Sequence, residues 1–218
     1  MQFIQNIYRL HRQFWKKEQI VLLLQALALF VAALFVQRVA YQYVDGRAVT
    51  TYVGDLLLDN LPTVNLDIFI VQGALAATFL VAPLFLMKPR YLSFALKTLA
   101  IFIIARSFFI SLTHLGVNLQ QITLNTERIG FGLYDILYNG KNDFFFSGHV
   151  GATFLLALIF WKEKIWRYVF LAASVIFGIS MILAHMHYSI DVFAAPFITY
   201  SIYAIARKIF SKDFSLIT

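Results

Sequence analysis

Two heptapeptides hold side chains suited to moving a phosphoryl group: Asp143-Phe144-Phe145-Phe146-Ser147-Gly148-His149 and His185-Met186-His187-Tyr188-Ser189-Ile190-Asp191. His187 and Asp191 are four apart, so on the opening turns of a helix they share a face and the carboxylate can accept a hydrogen from the imidazole. That pairing fixes the tautomer and raises basicity, which makes His187 a suitable nucleophile toward phosphorus, while His149, near neutral pKa, can give a proton to the departing oxygen. Ser147 and Gly148 immediately precede a helix whose unpaired amides would cradle phosphate oxygens, with glycine permitting close backbone approach. Arg106 supplies a permanent cation able to anchor the anion in a forked geometry. Asp143, His185 and Tyr188 complete the candidate substrate-binding set. The absence of cysteine removes thiolate zinc and disulfides.

The elements that must position these groups are membrane helices. Of the 218 residues 61% are hydrophobic and 13% charged, and the mean hydropathy is +0.75, far outside the soluble range. The expected class is all-α, a polytopic membrane protein with six transmembrane helices plus a basic amphipathic N-terminal helix. Apolar runs near 20–37, 66–87, 92–115, 149–161, 167–184 and 188–206 approach the ~20 residues a crossing needs. The fourth is short and must borrow Phe144 to Phe146 or Trp161 to reach full length. Lys97 and Arg106 interrupt the third.

Residues 1–19 place Phe3, Ile4, Ile7, Leu10 and Phe14 near one helical face and Arg9, Arg12, Lys16 and Lys17 elsewhere, as an interfacial arm on anionic lipid would. Residues 20–218 read as one membrane domain. Two loops, about 38–64 and 116–147, are longer than ordinary connections, with Asn60-Leu61-Pro62 and Asn139-Gly140 as turn signals. Arg9, Arg12, Lys16, Lys17, Lys88, Arg90, Lys162, Lys164, Arg167, Arg207, Lys208 and Lys212 collect at one side, and the positive-inside rule then puts both termini in the cytoplasm. The net charge of +7 is thus a topology signal, and no nucleic-acid partner is implied.

This topology brings His149, His187 and Asp191 to the same, non-cytoplasmic face. Ionisable groups near membrane depth cost several kcal/mol against lipid and usually carry function. The bland readings are a structural His187–Asp191 pair fastening two helices, and Arg106 snorkelling to headgroups.

The two heptapeptides resemble the type 2 phosphatidic acid phosphatase (PAP2) superfamily and, within it, the sphingomyelin synthase branch. The branch is similar in its aspartate, aromatics and Ser-Gly-His, here Asp143 to His149, and in His-x-His-Tyr-Ser/Thr-x-Asp, here His185 to Asp191. Arg106 to Leu115 resembles its arginine-bearing third-helix motif, and Asp59 to Pro62 its proline-aspartate loop. The phosphatases carry a Lys-x6-Arg-Pro motif and a Ser-Arg pair before the second histidine. Here Ser180 is followed by Met181, no proline follows Arg106, and Lys97 is spaced wrongly.

These departures favour a transferase. The resemblance implies a metal-independent, cofactor-free His-His-Asp lipid phosphotransferase that takes a phospho-headgroup from a phospholipid donor to a lipid alcohol of ceramide or diacylglycerol type. Competing expectations are a lipid phosphatase or phospholipase C-like hydrolase on the same scaffold, and a non-catalytic lipid transporter. The gathering of polar residues at one membrane edge argues against the transporter.

Overall fold

The computed structural model describes residues 2–47, 51–138 and 143–218, without the side chain of Phe3. The Asn139-Gly140 turn signal lies outside the described residues. All regular structure among those described is helical: α1 (Gln2–Phe14), α2 (Lys17–Asp45), α3 (Asp67–Met87), α4 (Leu92–Leu112), α5 (Phe131–Tyr138), α6 (Gly148–Ile159), α7 (Lys164–Leu183), α8 (Ser189–Ile209) and α9 (Ser211–Ser215). A 3-10 turn at Pro89–Tyr91 leads into α4.

Five helices, α2, α3, α4, α7 and α8, are long and apolar enough to cross a membrane, which is compatible with an integral membrane protein. The expected fourth span is different. Its helix, α6, has only 12 residues, about 18 Å against a hydrocarbon thickness of about 30 Å. Phe144 to Phe146, which the sequence reading added to lengthen it, lie outside the helix, and the chain turns again at Phe160.

What α6 lacks in length it makes up in burial. It packs against α7, α8 and α4, and Val150, Gly151, Thr153, Leu155 and Ala157 to Ile159 are all buried. Glycine is required at 151, because a Cβ there would lie 2.7 Å from the Phe102 ring and 2.9 Å from Thr199 Oγ1.

α2 is peripheral by comparison. Ala26, Ala33 and Ala40 recur every seventh residue and are buried, so α2 packs closely on α4 along a seam of small side chains. Leu24, Val31 and Phe35 face outward. Gln37, Arg38 and Gln42 do not stop the helix, which is why it runs past the predicted limit at 37 to Asp45.

The bundle has two polar ends. At one, three strands of loop meet the α7–α8 turn: Val64 N–H donates to Leu183 O (2.8 Å), Ile122 N–H to Ala184 O (3.1 Å) and Ser147 N–H to Asp191 O (3.1 Å). Asp55 caps α8 from the first long loop, its Oδ2 accepting the Ser189 amide at 2.6 Å. Burial pushes the Asp55 carboxyl up, but the amides of Ser189, Leu58 and Leu57 outweigh it and hold it below its ordinary value. At the other end Lys88 pairs with Glu163 (2.7 Å), Lys97 with Asp213 (2.7 Å), and Lys162 with the Thr218 carbonyl. Two short helices, α5 and α9, stand where the sequence reading had a loop and a plain basic terminus.

Candidate active site

His187 owes its position to how α7 ends. His185 takes a left-handed backbone (φ 54°), its amide donates to Ile182 O at 3.0 Å, and the Met186 amide donates to Met181 O at 3.0 Å. These are the paired bonds of a Schellman turn, which reverses the chain before α8. His185 itself is buried, with Nδ1 3.3 Å from Thr63 Oγ1.

At the start of α8 the fully buried Asp191 uses one oxygen twice. Oδ2 accepts the Tyr188 amide at 3.1 Å and stands 3.3 Å from His187 Nδ1. The Phe144 carbonyl is a second acceptor on the same nitrogen, at 3.0 Å. Two acceptors against Nδ1 require that it carry the hydrogen, so that in the neutral ring Nε2 holds the lone pair.

His149 is the second residue of α6. Its Nε2 is 3.3 Å from the Tyr134 hydroxyl, and its ring sits among those of Tyr134, Tyr138 and Phe177. Burial, with the Asp143 charge second, raises the Tyr134 hydroxyl above its ordinary value, so Tyr134 stays protonated near neutral pH.

Both histidines line one cavity of about 670 Å³, together with Arg106, Asp143, Phe144 and Gly148. From this polar end the lining becomes apolar through Phe102, Leu99 and Leu155 and reaches Phe85, Leu96 and Ile159 near the opposite end of the bundle. His149 to Ile159 alone corresponds to about 15 Å of helix rise. Asp191, Ser147, His185 and Tyr188 lie outside the lining. Asp191 backs His187, Ser147 N–H ties α6 to α8, His185 makes the turn, and the Tyr188 hydroxyl donates to Gly116 O at 2.7 Å.

Arg106 departs from the expectation of a free anion anchor. Nε donates to Phe146 O (2.8 Å), Nη1 to Asp143 Oδ2 (2.7 Å) and to Tyr41 Oη (3.4 Å), and Nη2 to both Asp143 Oδ1 and Asp143 O. A guanidinium has five N–H donors, and each here has an acceptor within the protein. Gly148 serves the same contact, since a Cβ at that position would lie 3.1 Å from Arg106 Nε.

Sequence reasoning missed Tyr134, Tyr138 and Tyr41. The pair four apart in Phe131-Gly132-Leu133-Tyr134-Asp135-Ile136-Leu137-Tyr138 is a short helical signal that was available. Tyr41 had none, because its partner Asp143 is 102 residues away.

The site thus has the form of a two-histidine, one-carboxylate centre, with His187 and Asp191 buried, at the polar end of an apolar slot within a helical bundle. Residues 142–208 match the family model for the PAP2 superfamily C-terminal region, a stretch holding His149, His187 and Asp191, and the match supports a relation to that superfamily, whose members are typically lipid phosphatases or phosphotransferases. The search of curated proteins and the search of solved structures each returned no match.

Proposed function

We propose that the protein is a metal-independent lipid phosphotransferase, similar to the sphingomyelin synthases, that moves a phospho-headgroup from a phospholipid to a lipid alcohol. The observation that carries this reading is His187 with Nδ1 held by Asp191 and Phe144 and Nε2 left nucleophilic, in one cavity with His149. The long apolar lining fits acyl tails.

In the first half-reaction His187 Nε2 attacks phosphorus. The bond to the diacylglycerol oxygen breaks, protonated His149 gives that oxygen its proton, and the headgroup remains as an N-phosphoryl imidazolium balanced by Asp191. In the second, neutral His149 takes the proton of the acceptor hydroxyl, whose oxygen forms the new P–O bond as the P–N bond breaks. One histidine serves as acid and then as base.

With Arg106 already neutralised by Asp143, no spare permanent cation lines the cavity among the described residues. That suits the single negative charge of a phosphodiester better than the near-double charge of a phosphomonoester, and so favours headgroup transfer over simple phosphatase action. The amides at the start of α6, which has no side-chain cap, are candidate donors for phosphate oxygens.

In this reading residues 20–218 form the membrane domain and α6, with its flanking turns, completes a sixth crossing. Residues 1–19 lie on the cytoplasmic surface, both termini are cytoplasmic, and the site opens to the other face. The test is transfer in proteoliposomes from a headgroup-labelled phospholipid, with and without ceramide or diacylglycerol. Label moving to the acceptor supports the transferase. Release of soluble headgroup at the same rate with and without acceptor would replace it with the hydrolase.

A further inference from the structure

We infer that Arg106 and Asp143 form a strut that positions His187, and that neither of them holds the substrate's phosphate. Four of the five acceptors on the guanidinium flank Phe144 on either side: the two Asp143 carboxylate oxygens, the Asp143 carbonyl and the Phe146 carbonyl. With its neighbours pinned to α4, the Phe144 carbonyl is held 3.0 Å from His187 Nδ1. Tyr41 braces the same carboxylate from α2, donating to Asp143 Oδ2 at 2.9 Å, and Gln37 donates to Tyr41 Oη at 3.0 Å.

The strut therefore reaches from two helices to the nitrogen opposite the nucleophile. A substrate oxygen that took the guanidinium would have to displace Asp143, leaving that carboxylate unpaired where it is 7% exposed, and would release the segment that fixes the His187 tautomer. Arg106 and Asp143 are positioning residues on this account, and their contact with the cavity is incidental to phosphate binding.

The kinetic arm of the test rests on the phosphotransferase reading; the spectroscopic arm does not. The full chain, labelled with nitrogen-15 histidine in lipid nanodiscs, gives a His187 signal recognised by its loss in His187→Ala. The wild type shows a single tautomer with hydrogen on Nδ1. Asp143→Asn and Arg106→Lys each bring in the second tautomer, and transfer shows kcat lower by about tenfold or more with KM unchanged. The Arg106→Lys/Asp143→Asn double variant falls no further than the worse single one, as expected for two parts of one device.

An unchanged His187 spectrum in folded Asp143→Asn overturns the proposal, and so does a raised KM with retained kcat in Arg106→Lys, the mark of a phosphate anchor. Where those variants fail to fold, Tyr41→Phe removes one brace without stranding a charge, and an unaltered His187 spectrum there is equally contrary. If the wild type turns over no phospholipid, the functional reading falls and the spectra still decide the strut.

Discussion

Helix α4 carries two buried cations, Lys97 and Arg106, and each is paired with an aspartate from a later part of the chain. Lys97 Nζ reaches Asp213 Oδ2 at 2.7 Å and Gln25 Oε1 at 3.3 Å, so one compact ammonium clamps α9 and α2 to α4. Arg106 spreads a planar fork over Asp143, Tyr41 and Phe146. The residues are not interchangeable: lysine is a point charge, whereas arginine holds an extended segment in one geometry.

Burial of an ion pair does not separate a structural region from a working one. The neighbours do. Asp143 and Arg106 border the cavity that holds His149 and His187. The hollow beside Lys97 is lined by Leu22, Gln25, Leu29 and residues Ile209 to Asp213, with no imidazole among the described residues.

This contrast is sharpened first by the histidines. His187→Ala is expected to lower transfer by about 10⁶-fold while the protein still folds, as removal of a nucleophile does in other enzymes. Near-normal transfer in proteoliposomes would move the chemistry elsewhere. His149→Ala should cost about 10² to 10⁴, the usual worth of a general acid–base group, and a leaving group of low pKa should recover more of the loss than it does for His187→Ala.

At the other end the effect is on stability. Lys97→Met leaves Asp213 buried and unpaired, which should destabilise the fold by about 3–5 kcal/mol; the Lys97→Met/Asp213→Leu pair should recover most of that in thermal unfolding. Specific activity of the folded fraction should be unchanged. A loss of activity greater than the loss of folded protein would erase the distinction between the two ends.

The smallest effect is the pH response of Glu163. Hydrogen bonding to Lys88, chiefly, holds its carboxyl below the ordinary value. A carboxylate depressed on folding contributes stability that is present above its unfolded pKa of about 4.3 and is lost as pH falls through the folded one. Glu163→Gln should therefore lower thermal stability at neutral pH by about 1 kcal/mol or less and flatten the decline in acid. A parallel decline in both proteins would remove Glu163 from the account.

Much of the scaffold was legible because five helices are long, predominantly apolar runs, and length plus composition identify those without tertiary information. The core of the candidate site was legible for a partly local reason. His187 and Asp191 are four apart, so spacing alone aligns those two, while His149 at a helix start is brought to the same end by the order of the helices. α6 was misjudged because aromatic residues before it read as more span, while in the structure their backbone groups serve His187 and Arg106 instead.

The role of Arg106 was hidden for a different reason. A cation near the end of a span reads the same whether it meets a phosphate or a carboxylate, and Asp143 lies 37 residues downstream. Lys97 looked like an interruption of a span until α9 supplied Asp213 from 116 residues away.

The most direct measurement is a search for a covalent intermediate. Protein quenched in alkali after mixing with headgroup-labelled phospholipid, without acceptor, should carry label on the peptide containing His187. That label should be base-stable and acid-labile, absent in His187→Ala, and discharged on adding a lipid alcohol. Transfer that proceeds with no label on His187 at any time, or with label on another residue, would contradict the account.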